Sequence, residues 1–222
     1  FRQTSLQIPF GSLSITKITE IAVGILKAGF WFALASSACA VITNLPRISV
    51  AYFYSEEILG VVGVTLSVTA LFGMVFNMTW VRALPKLSGL ENKSRVATLF
   101  VLENIILTLI LLIGSYVLLP TIVAFIFDFK GHQNLEMSRN VMLCSVVFFF
   151  GQILSNLFKV TSKPWLETCS YSLGFFVALS GWLLGTESLV PLLVSSGLTM
   201  AIFSLIVFYI IDGLRESRVM PR

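Results

Sequence analysis

Residues 58–81 read ILGVVGVTLSVTALFGMVFNMTWV and contain no charged side chain. A bilayer core about 30 Å thick needs roughly 20 apolar residues in a helix to span it. The apolar residues of this stretch follow one another continuously, whereas the strands of a membrane barrel alternate between apolar and polar positions. The stretch therefore predicts a transmembrane α-helix.

Six stretches of the chain meet or approach this length and apolar character: residues 21–43, 58–81, 96–127, 140–158, 168–186 and 188–211. Together they predict an all-α integral membrane protein with about six transmembrane helices. The third stretch is too long for one upright span. Pro120 is expected to kink it, leaving residues 121–127 as a short helix or a tilted end near the interface. Only Glu187 separates the last two stretches.

Composition indicates the same class of protein. Hydrophobic residues make up 56% of the chain and charged residues 12%, whereas soluble domains have about 45–50% and about 25%. The net charge of +4 comes from basic residues between the apolar stretches, which favours membrane orientation over nucleic-acid binding. Three cysteines inside apolar stretches and a single histidine, His132, match no disulfide, metal or catalytic pattern. We expect no cofactor, no metal and no enzymatic activity.

The loops predict an orientation. When both ends and the even-numbered loops are assigned to one side, twelve of the fifteen Lys and Arg residues lie there, and the other side has Arg47, Lys130 and Arg139. This asymmetry predicts that both ends are cytoplasmic. Residues 1–20 would form a cytoplasmic linker or surface helix, residues 21–211 the bundle and residues 212–222 a cytoplasmic tail. Because the chain begins at Phe1 without a signal peptide, we expect a fragment whose N-terminal portion is missing.

A candidate substrate site lies on one face of the first predicted helix. Spacings of three and four place six residues within a narrow arc: Gly29, Ala33, Ser37, Ala40, Asn44 and Arg47. An arginine at the bilayer centre costs about 2.5–3.5 kcal/mol on insertion scales, so Arg47 is expected to face a cavity or an anion. Its planar fork suits phosphate. The sequence gives equal weight to an alternative in which Arg47 lies at the outer interface and extends to lipid headgroups.

Other polar residues of the spans each have two interpretations. Lys27 is expected to extend its ammonium group to the cytoplasmic interface, and a role in a cavity is the less favoured alternative. Asn77 is a candidate for hydrogen bonding to a sugar hydroxyl or, more commonly, to a neighbouring helix. Glu103 is a candidate ion or proton site, or a partner of Arg95 or Lys159.

Two further patterns predict structural roles. The second span carries small residues at spacings of three and four, which predict close packing against another helix: Gly60, Gly63, Ser67, Ala70 and Gly73. Glu167 and Arg139 lie at the ends of spans and are interpreted as interface residues.

The order of three motifs resembles a known family. The first span is followed by Asn44-Leu45-Pro46-Arg47 and then by Ser55-Glu56-Glu57-Ile58-Leu59-Gly60-Val61, and the second ends in Ala83-Leu84-Pro85-Lys86-Leu87-Ser88. With six spans and the later Ile126-Phe127-Asp128-Phe129, the chain resembles the C-terminal half of bacterial polysaccharide-biosynthesis flippases, the Wzx-like O-antigen translocases. These belong to the multidrug/oligosaccharidyl-lipid/polysaccharide (MOP) exporter superfamily. The resemblance covers nearly the whole chain and is most specific over residues 44–88.

The resemblance implies a protein with about twice this number of helices, arranged as two bundles around a central cavity. Such proteins move an undecaprenyl-diphosphate-linked oligosaccharide from the cytoplasmic to the outer leaflet of a prokaryotic plasma membrane by alternating access. Their polar or basic cavity residues would correspond to Arg47 and Asn44. Membrane lipids and polysaccharide polymerase or export proteins are the implied partners, and nucleic acid is not.

Two alternatives remain open. A multidrug/cation antiporter of the same superfamily would use an acidic site, for which Glu103 is the candidate in this chain. A non-transporting membrane scaffold of a polysaccharide-synthesis complex would need neither Arg47 nor Asn44.

Overall fold

The computed structural model describes residues 15–88, 93–128, 131–161, 163, 165–184 and 189–219, and its regular elements are helices throughout this part of the chain. In chain order these are α1 Ile15–Phe53, α2 Glu56–Leu87, α3 Lys93–Val117, α4 Leu119–Ile126, α5 His132–Ser155, the 3₁₀ helix Asn156–Val160, α6 Trp165–Leu183 and α7 Leu189–Val219. The prediction of an all-α chain is confirmed.

Five of these helices are long and apolar enough to cross a membrane: Thr16–Phe53, Glu56–Leu87, Ser94–Val117, His132–Val160 and Leu192–Ile211. The fifth predicted span, residues 168–186, forms α6, which has 19 residues and includes Glu167 and several hydroxyl side chains. It does not reach the apolar character of the other five, so the count of six spans stays a prediction. The boundary predicted at Glu187 lies outside the described residues.

Several helix boundaries differ from those expected. Residues 15–20 form the first turns of α1 instead of a separate linker or surface helix, while residues 1–14 lie outside the described part. At the other end, α7 continues to Val219, eight residues beyond the predicted end of the bundle. Apolar runs mark the part of a helix that lipid surrounds, and a helix can continue past it into water.

The third predicted stretch divides into two helices, as its length and Pro120 indicate. The break falls at Leu118, because α3 ends at Val117 and Pro120 occupies the first turn of α4. Proline is tolerated there because the first N–H groups of a helix have no partner within it, whereas inside a continuous helix it would remove a backbone hydrogen bond. The short helix expected after the proline is confirmed, with a start two residues earlier.

Helix α5 forms the centre of the bundle and packs against α2, α3, α4 and α7. It approaches α7 most closely where two glycines meet. A Cβ on Gly151 would clash with the carbonyl oxygen of Gly197, and one on Gly197 would lie 2.6 Å from the Val147 carbonyl oxygen. Small residues let helix backbones approach to this degree.

A buried cluster of three serines lies beside this contact and joins three helices. Ser155 of α5 lies 2.8 Å from Ser170 of α6 and 3.2 Å from Ser204 of α7, and Ser170 and Ser204 are 3.2 Å apart. All three are fully buried. Their hydroxyls satisfy one another in surroundings where water is absent, which fixes the relative register of α5, α6 and α7.

Helix α1 lies at the edge of the bundle. It packs mainly on α6 and also contacts α2 and α7. Its apolar segment is the least buried of the five membrane-length helices, at 12% against 72% for that of α5. The remaining face of α1 is therefore uncovered by the described chain.

We predict that Gly151→Ala destabilises the bundle, because its methyl group would force α5 and α7 apart. Overpacking of this kind costs about 1–3 kcal/mol. The matched control is Gly60→Ala, where nothing lies within 4 Å of the new methyl group and alanine favours a helix by up to about 1 kcal/mol. The measurement is the thermal unfolding midpoint of the purified protein in detergent. A Gly151→Ala protein as stable as its parent would contradict the described contact.

Candidate functional site

A cavity of about 260 Å³ opens between four helices, near the C-terminal end of α1. Helix α1 forms one wall, α2 the opposite wall, and α5 and α7 form the floor. The residues that line it are Thr43, Asn44, Arg47, Leu66, Thr69, Ala70, Ser145, Phe148, Phe149 and Leu193. Two of the residues selected from the sequence, Asn44 and Arg47, therefore meet here with polar groups of α2 and α5.

The polar face predicted for the first span exists and is uncovered. Gly29, Ala33, Ser37, Ala40, Asn44 and Arg47 are all exposed along the continuous helix α1. Its last two members reach the cavity, while Ser37 lies on the same face without lining the cavity.

Arg47 is a cation that no described residue pairs with. Its side chain is exposed, and none of the described residues forms a hydrogen bond or ion pair with it. It lies six residues before the end of α1, about 9 Å along the helix axis. A guanidinium has five donors and stays charged under all conditions in a protein. Its free donors therefore face the cavity mouth ready for an anionic oxygen.

The other polar side chains of the cavity each donate a hydrogen bond within their own helix. Thr43, Asn44, Thr69 and Ser145 each donate to a carbonyl oxygen one turn back on their own helix, at distances of 2.7–3.0 Å. What they present to the cavity is mainly oxygen lone pairs, which accept hydrogen bonds. The site thus combines a donor cation at Arg47 with several acceptors, a pattern that complements an anion that also carries hydroxyl groups.

Two other sequence candidates lie elsewhere. Asn77 is exposed and borders a separate, largely apolar groove of about 530 Å³ with Met74, Met78, Val81 and Arg82. Lys27 belongs to α1, but its side chain lies outside the described part of the structure.

Glu103 forms an ion pair with Arg82 of α2. The alternative of a pair with Arg95 or Lys159 is therefore wrong. Both side chains are substantially exposed, at 65% for Arg82 and 40% for Glu103, and they line a groove between α2 and α3. The pairing arises because α2 and α3 are antiparallel neighbours, so that residues near the end of one helix meet residues near the start of the next.

The small residues of the second span do not pack as predicted. A Cβ on Gly60 or Gly63 would meet nothing within 4 Å, and only Gly73 approaches another helix, at 2.9 Å from the ring of Phe149. Gly60, Ser67 and Ala70 are instead exposed. This face of α2 therefore flanks the cavity opposite the uncovered face of α1.

Glu167, interpreted as an interface residue, lies in the first turn of α6 and is buried within the bundle. It is 3% exposed, and its Oε1 lies 3.4 Å from Lys159 Nζ. No sequence pattern indicates this pair, because Pro164 and a change of chain direction separate its members.

The cavity aromatics Phe148 and Phe149 were also missed. They belong to a run of three phenylalanines in which every residue is equally apolar.

No protein-family model, curated protein or solved structure matches the chain.

We predict that the Arg82–Glu103 pair is coupled and that Arg95 takes no part in it. Replacing either partner by leucine leaves the other charge on an apolar helix surface, so the double variant Arg82→Leu/Glu103→Leu should lose less stability than the sum of the single variants. A coupling of about 0.5 kcal/mol or more is expected for groups in contact. The measurement is a double-mutant cycle of thermal unfolding in lipid nanodiscs.

The matched control is a second double-mutant cycle, in which Arg95→Leu takes the place of Arg82→Leu. Arg95 is an exposed cation on α3, the helix that carries Glu103. The two substitutions of this cycle should add within about 0.3–0.5 kcal/mol. Additivity in the Arg82 cycle, or equal coupling in both, would contradict the described pairing.

Proposed function

We propose that the chain is one bundle of a MOP-type flippase that moves an undecaprenyl-diphosphate-linked oligosaccharide across a prokaryotic plasma membrane for O-antigen, capsule or exopolysaccharide biosynthesis. The observation that carries the proposal is the unpartnered Arg47 at the mouth of a cavity whose other polar groups are hydrogen-bond acceptors. The motif order over residues 44–88 supports the same assignment.

The chemistry of such a substrate matches this arrangement. The diphosphate supplies anionic oxygens for the guanidinium fork, and charge-assisted hydrogen bonds of this type are about twice as strong as neutral ones. The sugar hydroxyls supply donors for the lone pairs of Thr43, Asn44 and Ser145. The polyprenyl chain stays in the bilayer, to which the exposed apolar surface of the helices is suited.

Alternating access requires a second bundle that faces this one. The exposed faces of α1 and α2 on either side of the cavity support its placement there, because small side chains let a partner helix approach and move without steric obstruction. In this arrangement Arg47 would lie between the two bundles, and rocking of one against the other would open the cavity to each side in turn.

The predicted orientation supports a direction of transport. The basic residues place both ends of the chain in the cytoplasm, so the cavity lies in the outer half of the bundle. A cation in that half would attract the diphosphate away from the cytoplasmic leaflet in which the lipid-linked oligosaccharide is assembled. The antiporter alternative has less support, because Glu103 is paired with Arg82. A scaffold gives no reason for an uncompensated guanidinium.

We predict that Arg47→Ala lowers surface polysaccharide about tenfold or more and leaves lipid-linked intermediate in the cytoplasmic leaflet, since hydrogen bonds to a charged group contribute about 1.5–3 kcal/mol. Arg47→Lys should retain part of the activity, because an ammonium keeps the charge and loses the bidentate geometry. The measurement is surface polysaccharide and the leaflet distribution of the intermediate in cells that express the complete protein.

The matched control is Lys86→Ala, which removes an exposed cation at the opposite end of α2 and should leave export unchanged. Normal export by a well-expressed Arg47→Ala protein would refute the cavity assignment and favour the scaffold.

A further inference from the structure

A second polar centre lies at the other end of the bundle, where α6 begins. Glu167 is 3% exposed, and its Oε1 lies 3.4 Å from the ammonium nitrogen of Lys159. Its other oxygen, Oε2, is buried and has no hydrogen-bond partner. The Lys159 side chain is itself 38% exposed, so one side of the pair lies at the surface of the described bundle.

Titratable and polar groups of the packed elements surround this carboxylate. Cys39 of α1 and Tyr171 of α6 interact with it electrostatically, and Lys159 is its cationic neighbour on the 3₁₀ helix. Gln152 of α5 links Cys39 and Tyr171: its Nε2 lies 3.3 Å from Cys39 Sγ, and it hydrogen-bonds the Tyr171 hydroxyl. Lys159 is the one cation in this set.

The surroundings favour a proton over a metal cation as the ligand of Oε2. A cation bound there would lie close to the ammonium of Lys159 and be repelled by it. Alkali and alkaline-earth ions also require several oxygen ligands, whereas the α1 side chain that interacts electrostatically with this carboxylate, Cys39, is a thiol. A proton needs a single lone pair, and Oε2 has one that no described residue uses.

Burial also favours the protonated form of the Glu167 carboxyl. Glu167 lies one residue before the predicted fifth span and outside the five membrane-length helices. Desolvation raises the pKa of its carboxyl, and the charge and hydrogen bond of Lys159 partly oppose this. The neutral acid is therefore more accessible to Glu167 than to a carboxyl in water.

We propose that Glu167 is a proton-binding site that couples a transmembrane pH gradient to movement of α6 against α1. The coupling rests on the proposed transport function, whereas proton binding itself does not. Oε2 takes up one proton to form a neutral carboxylic acid. Lys159 keeps its charge, loses its counter-ion and moves toward water, and release of the proton restores the pair.

The position of Glu167 explains how this change would reach the substrate site. The next residue, Thr168, donates a hydrogen bond of 2.8 Å from its Oγ1 to the carbonyl oxygen of Trp31 on α1. Sixteen residues along the same helix, about 24 Å away, lies Arg47. A change of charge at the start of α6 therefore acts on the seam with the helix that carries the cation of the cavity.

The first test is pH-difference infrared spectroscopy of the purified complete protein, which detects the carbonyl band of a protonated buried carboxyl. A band that titrates above the range of a carboxyl in water should be present in the parent and absent from Glu167→Gln. The matched control Glu103→Gln should keep it, since Glu103 is exposed and paired with Arg82.

A second variant keeps the test decisive if Glu167→Gln does not fold. Lys159→Gln removes the cation that stabilises the carboxylate, so the band should appear at a higher pH than in the parent. Lys163→Gln, at an exposed lysine nearby, should leave its midpoint unchanged. A band that neither Glu167→Gln nor Lys159→Gln alters would overturn the proposal.

The coupling is tested in proteoliposomes with a fluorescent undecaprenyl-diphosphate-linked disaccharide as the probe. A gradient of about one pH unit should increase accumulation by the parent protein up to tenfold, the limit for one proton per substrate, with the proton and the probe moving in opposite directions. The stimulation should disappear in Glu167→Gln and persist in Glu103→Gln. Probe movement by the parent that ignores the gradient would overturn the coupling and leave the flippase intact. No movement of the probe under any condition would instead refute the flippase, and the infrared band would still decide whether Glu167 binds a proton.

Discussion

The backbone contact between α5 and α7 at Gly151 and Gly197 is the constraint on which the rest of the bundle depends. In a bilayer, burying apolar side chains between helices gains little, because lipid tails are as apolar as leucine. Close backbone packing and buried hydrogen bonds must supply the association instead. The two glycines provide the close backbone packing, and the serine cluster of α5, α6 and α7 provides the buried hydrogen bonds. Because this centre is held internally, α1 and α2 are free to keep one face uncovered, and the cavity lies between those faces.

The charges of the chain follow the same division between centre and edge. Glu103 and Arg82 neutralise each other on the outer surface of α2 and α3, where an unpaired charge would meet lipid. Glu167 and Lys159 pair where α6 begins, with Glu167 buried and Lys159 partly exposed at the surface of the bundle. Arg47 has no counter-ion among the described residues, and it borders the cavity. Structural stability explains the two pairs, but it does not explain Arg47.

The sequence was sufficient for what depends on local composition. Continuous apolar runs predicted the helices, Pro120 predicted the break between α3 and α4, and spacings of three and four predicted the polar face of α1. Whatever depends on which helices become neighbours was not predictable. Glu103 pairs with Arg82 because α2 and α3 are adjacent, and Gly60 and Gly63 lie on a part of α2 where no described residue comes within 4 Å of an added Cβ. The glycines that do pack, Gly151 and Gly197, do not belong to the series of small residues in the second span. Two isolated glycines on different helices form no local pattern in the sequence.

The free energies involved explain why the proton site at Glu167 and the cation at Arg47 are more useful together than either alone. One proton moving down a gradient of about one pH unit provides about 1.4 kcal/mol. Shifting a two-state equilibrium from one strongly favoured conformation to the other requires about 5.5 kcal/mol. A proton at Glu167 would therefore bias the bundle without committing it to one side. Hydrogen bonds from Arg47 to a diphosphate contribute about 1.5–3 kcal/mol each. Two such bonds supply free energy comparable with the difference between what the gradient provides and what the transition requires. A transporter built in this way would complete its cycle only when the substrate is bound, because neither the gradient nor the anion reaches the required free energy by itself, and futile leakage of protons would be slow for the same reason.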